Sequence, residues 1–149
     1  MKKYKVLLIA IITILFTYSC DTSDDGLIFY PGPYLGIKET SEDGLPLGGA
    51  KDTDWYDIPL IGFSVLGAYP NPTEDKCEIK FSTTKTRKIT IYLHHYLTNY
   101  YKIIADNESM YAGFYTIRMS LKDMGVPKGF IRVYFNVDGY ITYGDIFYK

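Results

Sequence analysis

The side chains that could carry chemistry in this chain are few and scattered. His94 and His95 are its two histidines, and they are adjacent. Their neighbours read as a strand, where successive side chains point to opposite faces, so the two cannot chelate one metal ion together. "DTDWYD" supplies Asp52, Asp54 and Asp57. A calcium loop needs more oxygens in a fixed pattern and a glycine at its turn, so these acids read as a solvated linker. The other carboxylates fall in turns and form no pair placed for acid–base work. No GxSxG, HExxH, CxxC or phosphate-loop motif occurs. The expectation is a protein that is not an enzyme and that needs no metal or other cofactor.

The aromatic residues are the other chemical resource. Sixteen of the 149 residues are tyrosine, a type that favours pleated, half-buried surfaces. Trp55, Tyr56, Tyr96, Tyr100, Tyr101 and Tyr111 could form a flat platform for a sugar or a protein partner. The competing reading is a small sandwich with one set of rings in its core and another shielding a sheet.

The elements that must position these groups differ along the chain. Lys2, Lys3 and Lys5 precede the apolar run "VLLIAIITILF", Val6 to Phe16. That run is too short for a membrane span, which takes about 20 residues, and reads as the hydrophobic region of a signal peptide. Thr17 and Ser19 are small at the two positions a signal peptidase reads, so residues 1–19 are expected to be a signal peptide. From Cys20 to Asp57 there are nine acids and two lysines, with frequent Gly and Pro and no hydrophobic period. This stretch, 20–57, is expected to be an acidic flexible linker. From Ile58 to Lys149 there are eight acids and eleven bases, far from the basic stripe that nucleic acid would require.

In this last region the chain alternates with period two. "CEIKFST" sets Cys77, Ile79 and Phe81 against Glu78 and Lys80. "RKITIYLHHYL" puts Ile89, Ile91 and Leu93 on one face. "AGFYTIRMS" sets Tyr115, Ile117 and Met119 against Phe114, Thr116 and Arg118. "FIRVYFNV" and "YITYGDIFY" follow. Turns are expected at "YPNPTED", "TTKT", "LTN", "ADNES", "DMGVPKG" and "VDGY". In "YPNP", Tyr69 to Pro72, the prolines fix two φ angles and keep their predecessors extended, so the segment should carry the chain from one sheet to the other at an edge. About seven short strands without a convincing helix predict an all-β, antiparallel, Ig-like β-sandwich over residues 58–149.

Two resemblances sharpen this reading. "TYSC" resembles the lipobox of bacterial lipoproteins, which implies that Cys20 receives a diacylglyceryl group and becomes the mature N-terminus. "CDTSDD" resembles the acidic export signal that carries lipoproteins to the cell surface in Bacteroidetes-type bacteria, with Asp21, Asp24 and Asp25 as its acids. If Cys20 is acylated, Cys77 is left as a small buried apolar residue. If it is not, a Cys20–Cys77 disulfide is open. From about Ser64 onward, "YPNP", "IKFSTTKTRKITIYLHHYL", "AGFYTIRM" and "VPKGFIRVYFNVDGYITYGDIFYK" resemble the C-terminal sorting domain of the type IX (Por) secretion system and the related Ig-like domain of the flagellar hook-capping family. In that scheme Gly113 precedes a strand at a tight approach, Gly129 is the turn before the penultimate strand, and Asp138-Gly139 is a hairpin turn. Asn99 stands where the family has Gly and would take the left-handed conformation.

These observations imply a non-enzymatic lipoprotein of the outer membrane, anchored through lipid on Cys20 and facing the cell surface. Its sandwich would bind or assemble with envelope proteins. The alternatives are a minimal type IX secretion substrate, read by translocon components, and a surface carbohydrate-binding accessory protein. No nucleic-acid partner is expected.

Overall fold

The computed structural model describes residues 36–48 and 54–149. A 3-10 turn at Pro59–Ile61 precedes seven strands: β1 (Phe63–Val65), β2 (Lys76–Thr83), β3 (Arg87–His95), β4 (Tyr100–Met110), β5 (Gly113–Ser120), β6 (Gly129–Val137) and β7 (Tyr140–Tyr148). They form two antiparallel sheets, one in the order β1-β2-β5 and one in the order β4-β3-β6-β7. This is the immunoglobulin-like arrangement with its fourth strand moved to the sheet of β3, β6 and β7.

The core is the set of inward positions that the alternation specifies. Cys77, Ile79 and Phe81 of β2 face Ile89, Ile91 and Leu93 of β3 and Ile131, Val133 and Phe135 of β6, all buried. Phe63, Phe81 and Phe135 meet at the centre with ring centroids 5.4–5.7 Å apart. Fully burying each such side chain stabilises the fold by about 1.5–3 kcal/mol relative to exposure.

Two turns follow the expectation. Asp138 (φ 50°) and Gly139 (φ 89°) are both left-handed, as a two-residue hairpin of matching twist requires. Asn99 adopts φ 52° between β3 and β4. "ADNES" does not follow it. It lies inside β4, whose pairing with β3 shifts register around Ile91. Asn107 accommodates the irregularity at φ 50°, donating its backbone N–H to Thr90 Oγ1 at 2.9 Å. The polar, turn-forming residues there mark a bulge in an edge strand and not a reversal of the chain.

"YPNP" is the crossing between sheets. Tyr69 pairs with Glu78 of β2, and Thr73 pairs with Tyr148 of β7. Between them, fully buried Asn71 acts as a piece of strand: its Nδ2 donates to the Asp145 carbonyl at 2.8 Å, and its Oδ1 accepts from the Phe147 N–H at 3.0 Å. Farther along β7, the Trp55 N–H donates to the Tyr143 carbonyl, Tyr56 Oη to the Ile141 carbonyl and Thr142 Oγ1 to the Tyr56 carbonyl. The outer edge of the last strand is thus covered along its length by two crossing segments, which satisfies backbone groups that an open edge would expose. Trp55 sits in the core at φ 58°, and a methyl group on Gly144 would occupy the space of its indole.

Candidate functional site

The outer face of the four-stranded sheet carries the densest set of chemically useful side chains. Register brings Tyr92 of β3 beside Tyr134 of β6, and Tyr134 beside Tyr143 of β7. Ring centroids run Tyr101–Tyr92 5.1 Å, Tyr92–Tyr134 4.7 Å, Tyr134–Tyr143 5.9 Å and Tyr143–Tyr56 5.8 Å. Five tyrosines therefore cross all four strands and end on the segment that covers β7. Outer side chains of a sheet stand roughly upright, and the Tyr92 and Tyr134 planes differ by 14°. Stacking turns one face of each of these two rings toward the other, whereas the Tyr101–Tyr92 and Tyr134–Tyr143 contacts are tilted and Tyr143–Tyr56 is edge-on. Tyr101 and Tyr56 are exposed at the two ends, with Ile103 exposed beside Tyr92.

Three of the five hydroxyls have raised pKa values. Burial, and then neighbouring Tyr101, hold the Tyr92 hydroxyl above the ordinary tyrosine range. Burial and the Asp106 carboxylate do the same for Tyr101. Burial, with Tyr143, raises Tyr56 against the opposing hydrogen bond of Thr142. The surface offers hydroxyl groups that can donate or accept, on an aromatic base.

One cross-strand pair anchors this face. Arg132 and Asp145 lie opposite each other on β6 and β7 and are both buried. Arg132 Nε and Nη2 donate to the two Asp145 carboxylate oxygens at 2.7 and 2.6 Å, and Asp54 lies 4.0 Å from Nη2. The guanidinium also packs 4.3 Å from the Tyr143 ring centroid. Burial opposes its charge, but the bonds and charge of Asp145, then of Asp54, override that and hold the Arg132 pKa above its ordinary value. The bidentate pair thus holds the guanidinium against the Tyr143 end of the row.

The opposite outer face is built otherwise. A cleft of about 560 Å³ is lined by Tyr69, Lys76, Glu78, Arg118 and Ser120, among others. Glu78 accepts from Arg118 Nε at 2.7 Å and from Tyr69 Oη at 2.8 Å, and these bonds hold its carboxyl below the usual range. The Glu78 carboxylate is thus occupied by two donors, and Glu42 is a second carboxylate in the cleft's lining. Among the described residues, no group of three His, Cys, Asp or Glu gathers as a metal site would require. The two histidines diverge as their spacing dictates. His95 is buried, with Nε2 3.1 Å from the Lys128 carbonyl and Nδ1 3.0 Å from Thr98 Oγ1, while His94 faces outward beside Tyr101.

Of the six aromatics singled out in the sequence, Tyr56 and Tyr101 join the row. Trp55 is in the core. Tyr100 packs inward, its hydroxyl donating to the Met124 carbonyl. Tyr96 lies exposed just past β3, and Tyr111 lies between β4 and β5, where its carbonyl accepts from Tyr115. They do not form one flat platform. Tyr92, Tyr134 and Tyr143, which complete the row, were not singled out. The signal was their shared parity, since each occupies an outward position on its strand, but choosing them required the cross-strand register. The tight approach expected at Gly113 occurs at Gly129 instead. A Cβ on Gly113 meets nothing within 4 Å, whereas one on Gly129 would lie 2.9 Å from His95 Nε2. Gly139 occupies its expected turn, and Pro70 and Pro72 flank Asn71 in cis peptides. Cys77 is buried as a free thiol, pushed up to about 12 by burial and then by Asp75. Cys20, Asp21, Asp24 and Asp25 lie outside the described residues.

Comparison of the chain with protein-family models, curated proteins and solved structures finds no match.

Proposed function

We propose that this chain is a non-enzymatic lipoprotein of a bacterial outer membrane whose sandwich is a protein-docking module, with the tyrosine-bearing face of the four-stranded sheet as its contact surface. The row of five tyrosines carries this reading. Tyrosine supplies large rigid contact area together with a polar tip and is enriched where proteins meet. At the centre of the row the stacking favours a protein over a sugar, because carbohydrate platforms use exposed ring faces and Tyr92 and Tyr134 cover each other. The lipobox-like "TYSC" and the acidic "CDTSDD" supply the proposed anchor and surface address.

A photo-crosslinking residue at Tyr101 or Tyr56, in the native host, should give adducts with a discrete envelope protein, and the same residue at exposed Lys85 should not. Palmitate labelling should be present in the wild type and lost in Cys20→Ala. An unlabelled wild type, or no adduct from either tyrosine, would remove the proposal. Adducts confined to translocon components would favour the secretion-substrate reading.

A further inference from the structure

Residues 54–56 lie across the first half of β7 and supply no strand to either sheet. Three hydrogen bonds hold them there. The Trp55 N–H donates to the Tyr143 carbonyl at 2.8 Å, Tyr56 Oη to the Ile141 carbonyl at 3.1 Å, and Thr142 Oγ1 to the Tyr56 carbonyl at 2.7 Å. The Trp55 indole fills a socket left by two glycines, Gly67 just past β1 and Gly144 of β7. A Cβ on Gly67 would lie 3.6 Å from the indole Cδ1, and one on Gly144 would overlap the ring. The next residue is fixed separately. The Asp57 carboxylate accepts from Ser64 Oγ at 2.8 Å and from the Val65 N–H at 3.0 Å, which ties it to β1.

Two penalties exist only while this segment is seated. Trp55 has φ 58°, a left-handed conformation that is unfavourable for a bulky side chain. Its indole N–H is buried and finds no acceptor among the described residues, which forfeits the hydrogen bond that water would supply. Burial of the large ring outweighs both at rest, so the seated form dominates. Lifting the segment relieves both, because the backbone returns to extended geometry and the indole N–H meets water. The sheets lose no strand pairing when it lifts. β7 stays paired with β6 from Tyr140 to Tyr148, and Asn71 and Thr73 still hold its second half.

We infer that residues 54–56 are a clasp that opens on its own, hinged at Asp57, while both sheets stay folded. A segment held by few contacts opens at a lower free energy than the whole domain. Opening bares the Ile141 and Tyr143 carbonyls on the β7 edge, and an unpaired edge is a template for another strand. It also takes Tyr56 from the end of the tyrosine row, so the clasp and that surface move together. The clasp stands whether or not the tyrosine face docks a partner.

Trp55 is the single tryptophan of the chain, so its emission reports the clasp. With the purified protein in rising urea, the emission should shift to that of a solvated indole at a lower midpoint than the loss of far-ultraviolet circular dichroism. The Trp55 amide proton should exchange with solvent at least about tenfold faster than the amides of β6. Tyr56→Phe removes the hydroxyl bonded to the Ile141 carbonyl. It should lower the emission midpoint further and leave the dichroism midpoint in place. Coincident emission and dichroism midpoints in the wild type overturn the inference, as does a Tyr56→Phe variant in which both midpoints fall together. Exchange at Trp55 as slow as in β6 overturns it too.

Discussion

The two outer faces of this sandwich solve the same problem in opposite ways. Each belongs to an antiparallel sheet whose inner face is apolar. On the four-stranded sheet, outward side chains pair with their own kind across strands: Tyr92 with Tyr134, Tyr134 with Tyr143, Phe130 with Phe147 at 4.8 Å, and Arg132 with Asp145. On the three-stranded sheet they are mixed and mostly solvated, with Lys76, Lys80 and Arg118 around Glu78, and Phe114 alone at its edge. The difference explains why β6 breaks the alternation. Residues Ile131 to Phe135 are buried on both faces because rings and an ion pair cover the outward side. β2 keeps the alternation because its outward side is water. One face is a second, thin layer of packing, and the other is an ordinary wet surface carrying one apolar feature.

The sharpest way to break this contrast is to unpair the buried ions. Asp145→Ala should cost about 3–5 kcal/mol, because it leaves the Arg132 guanidinium desolvated without its main partner. The double change Arg132→Met with Asp145→Leu should recover most of that loss, since an apolar pair of similar size removes both desolvation penalties. Urea denaturation of the wild type and the two variants measures it. A single variant as stable as wild type would mean that this face is no second layer.

A double-mutant cycle on Tyr92 and Tyr134, each changed to Ala, should return a coupling of about 0.5–1.5 kcal/mol for the stacked rings. The matching cycle on Glu78 and Arg118 should return no resolvable coupling, because Arg118 is exposed and solvent screens the pair. Equal coupling on both sheets would erase the distinction.

The faces should also fail at opposite ends of the pH scale, with the smallest effects near neutrality. Tyr92, Tyr101 and Tyr56 have raised pKa values in the folded protein. Their contribution is complete below the unfolded value of about 10 and is lost as pH rises above it. Glu78, held low by Arg118 and then Tyr69, and Asp75, held low by the Lys122 N–H and then Ser120, have depressed values. Theirs is complete above the unfolded value of about 4 and is lost as pH falls. Stability measured against pH should show Tyr92→Phe flattening the alkaline limb alone and Glu78→Gln the acid limb alone. The reverse assignment would contradict the placement of these groups.

Much of this was legible in the chain because a strand's side chains alternate strictly. Cys77, Ile79 and Phe81, then Ile89, Ile91 and Leu93, then Tyr115, Ile117 and Met119 could be assigned inward from spacing alone, and all nine line the core. Asp138-Gly139 and Asn99 could be read as turns because few residues tolerate positive φ. Opposed His94 and His95 followed from the same period. The sequence by itself therefore determined the class of fold, the inner faces and the tight turns, all of which are local consequences of backbone geometry.

Only the tertiary structure decided what depends on which strands become neighbours. Tyr92, Tyr134 and Tyr143 lie far apart in the chain, and nothing local aligns them until β3, β6 and β7 pair in one register. The partnership of Arg132 and Asp145 exists only across the β6–β7 hairpin. Asn71 looked like a turn residue until its carboxamide met the edge of β7. "ADNES" carried turn chemistry that its neighbour β3 absorbed as a bulge. Periodicity fixes which face a side chain occupies, because that is a property of one strand. Register and sheet order fix what stands beside it, because those are set by long-range pairing that the whole core must agree on.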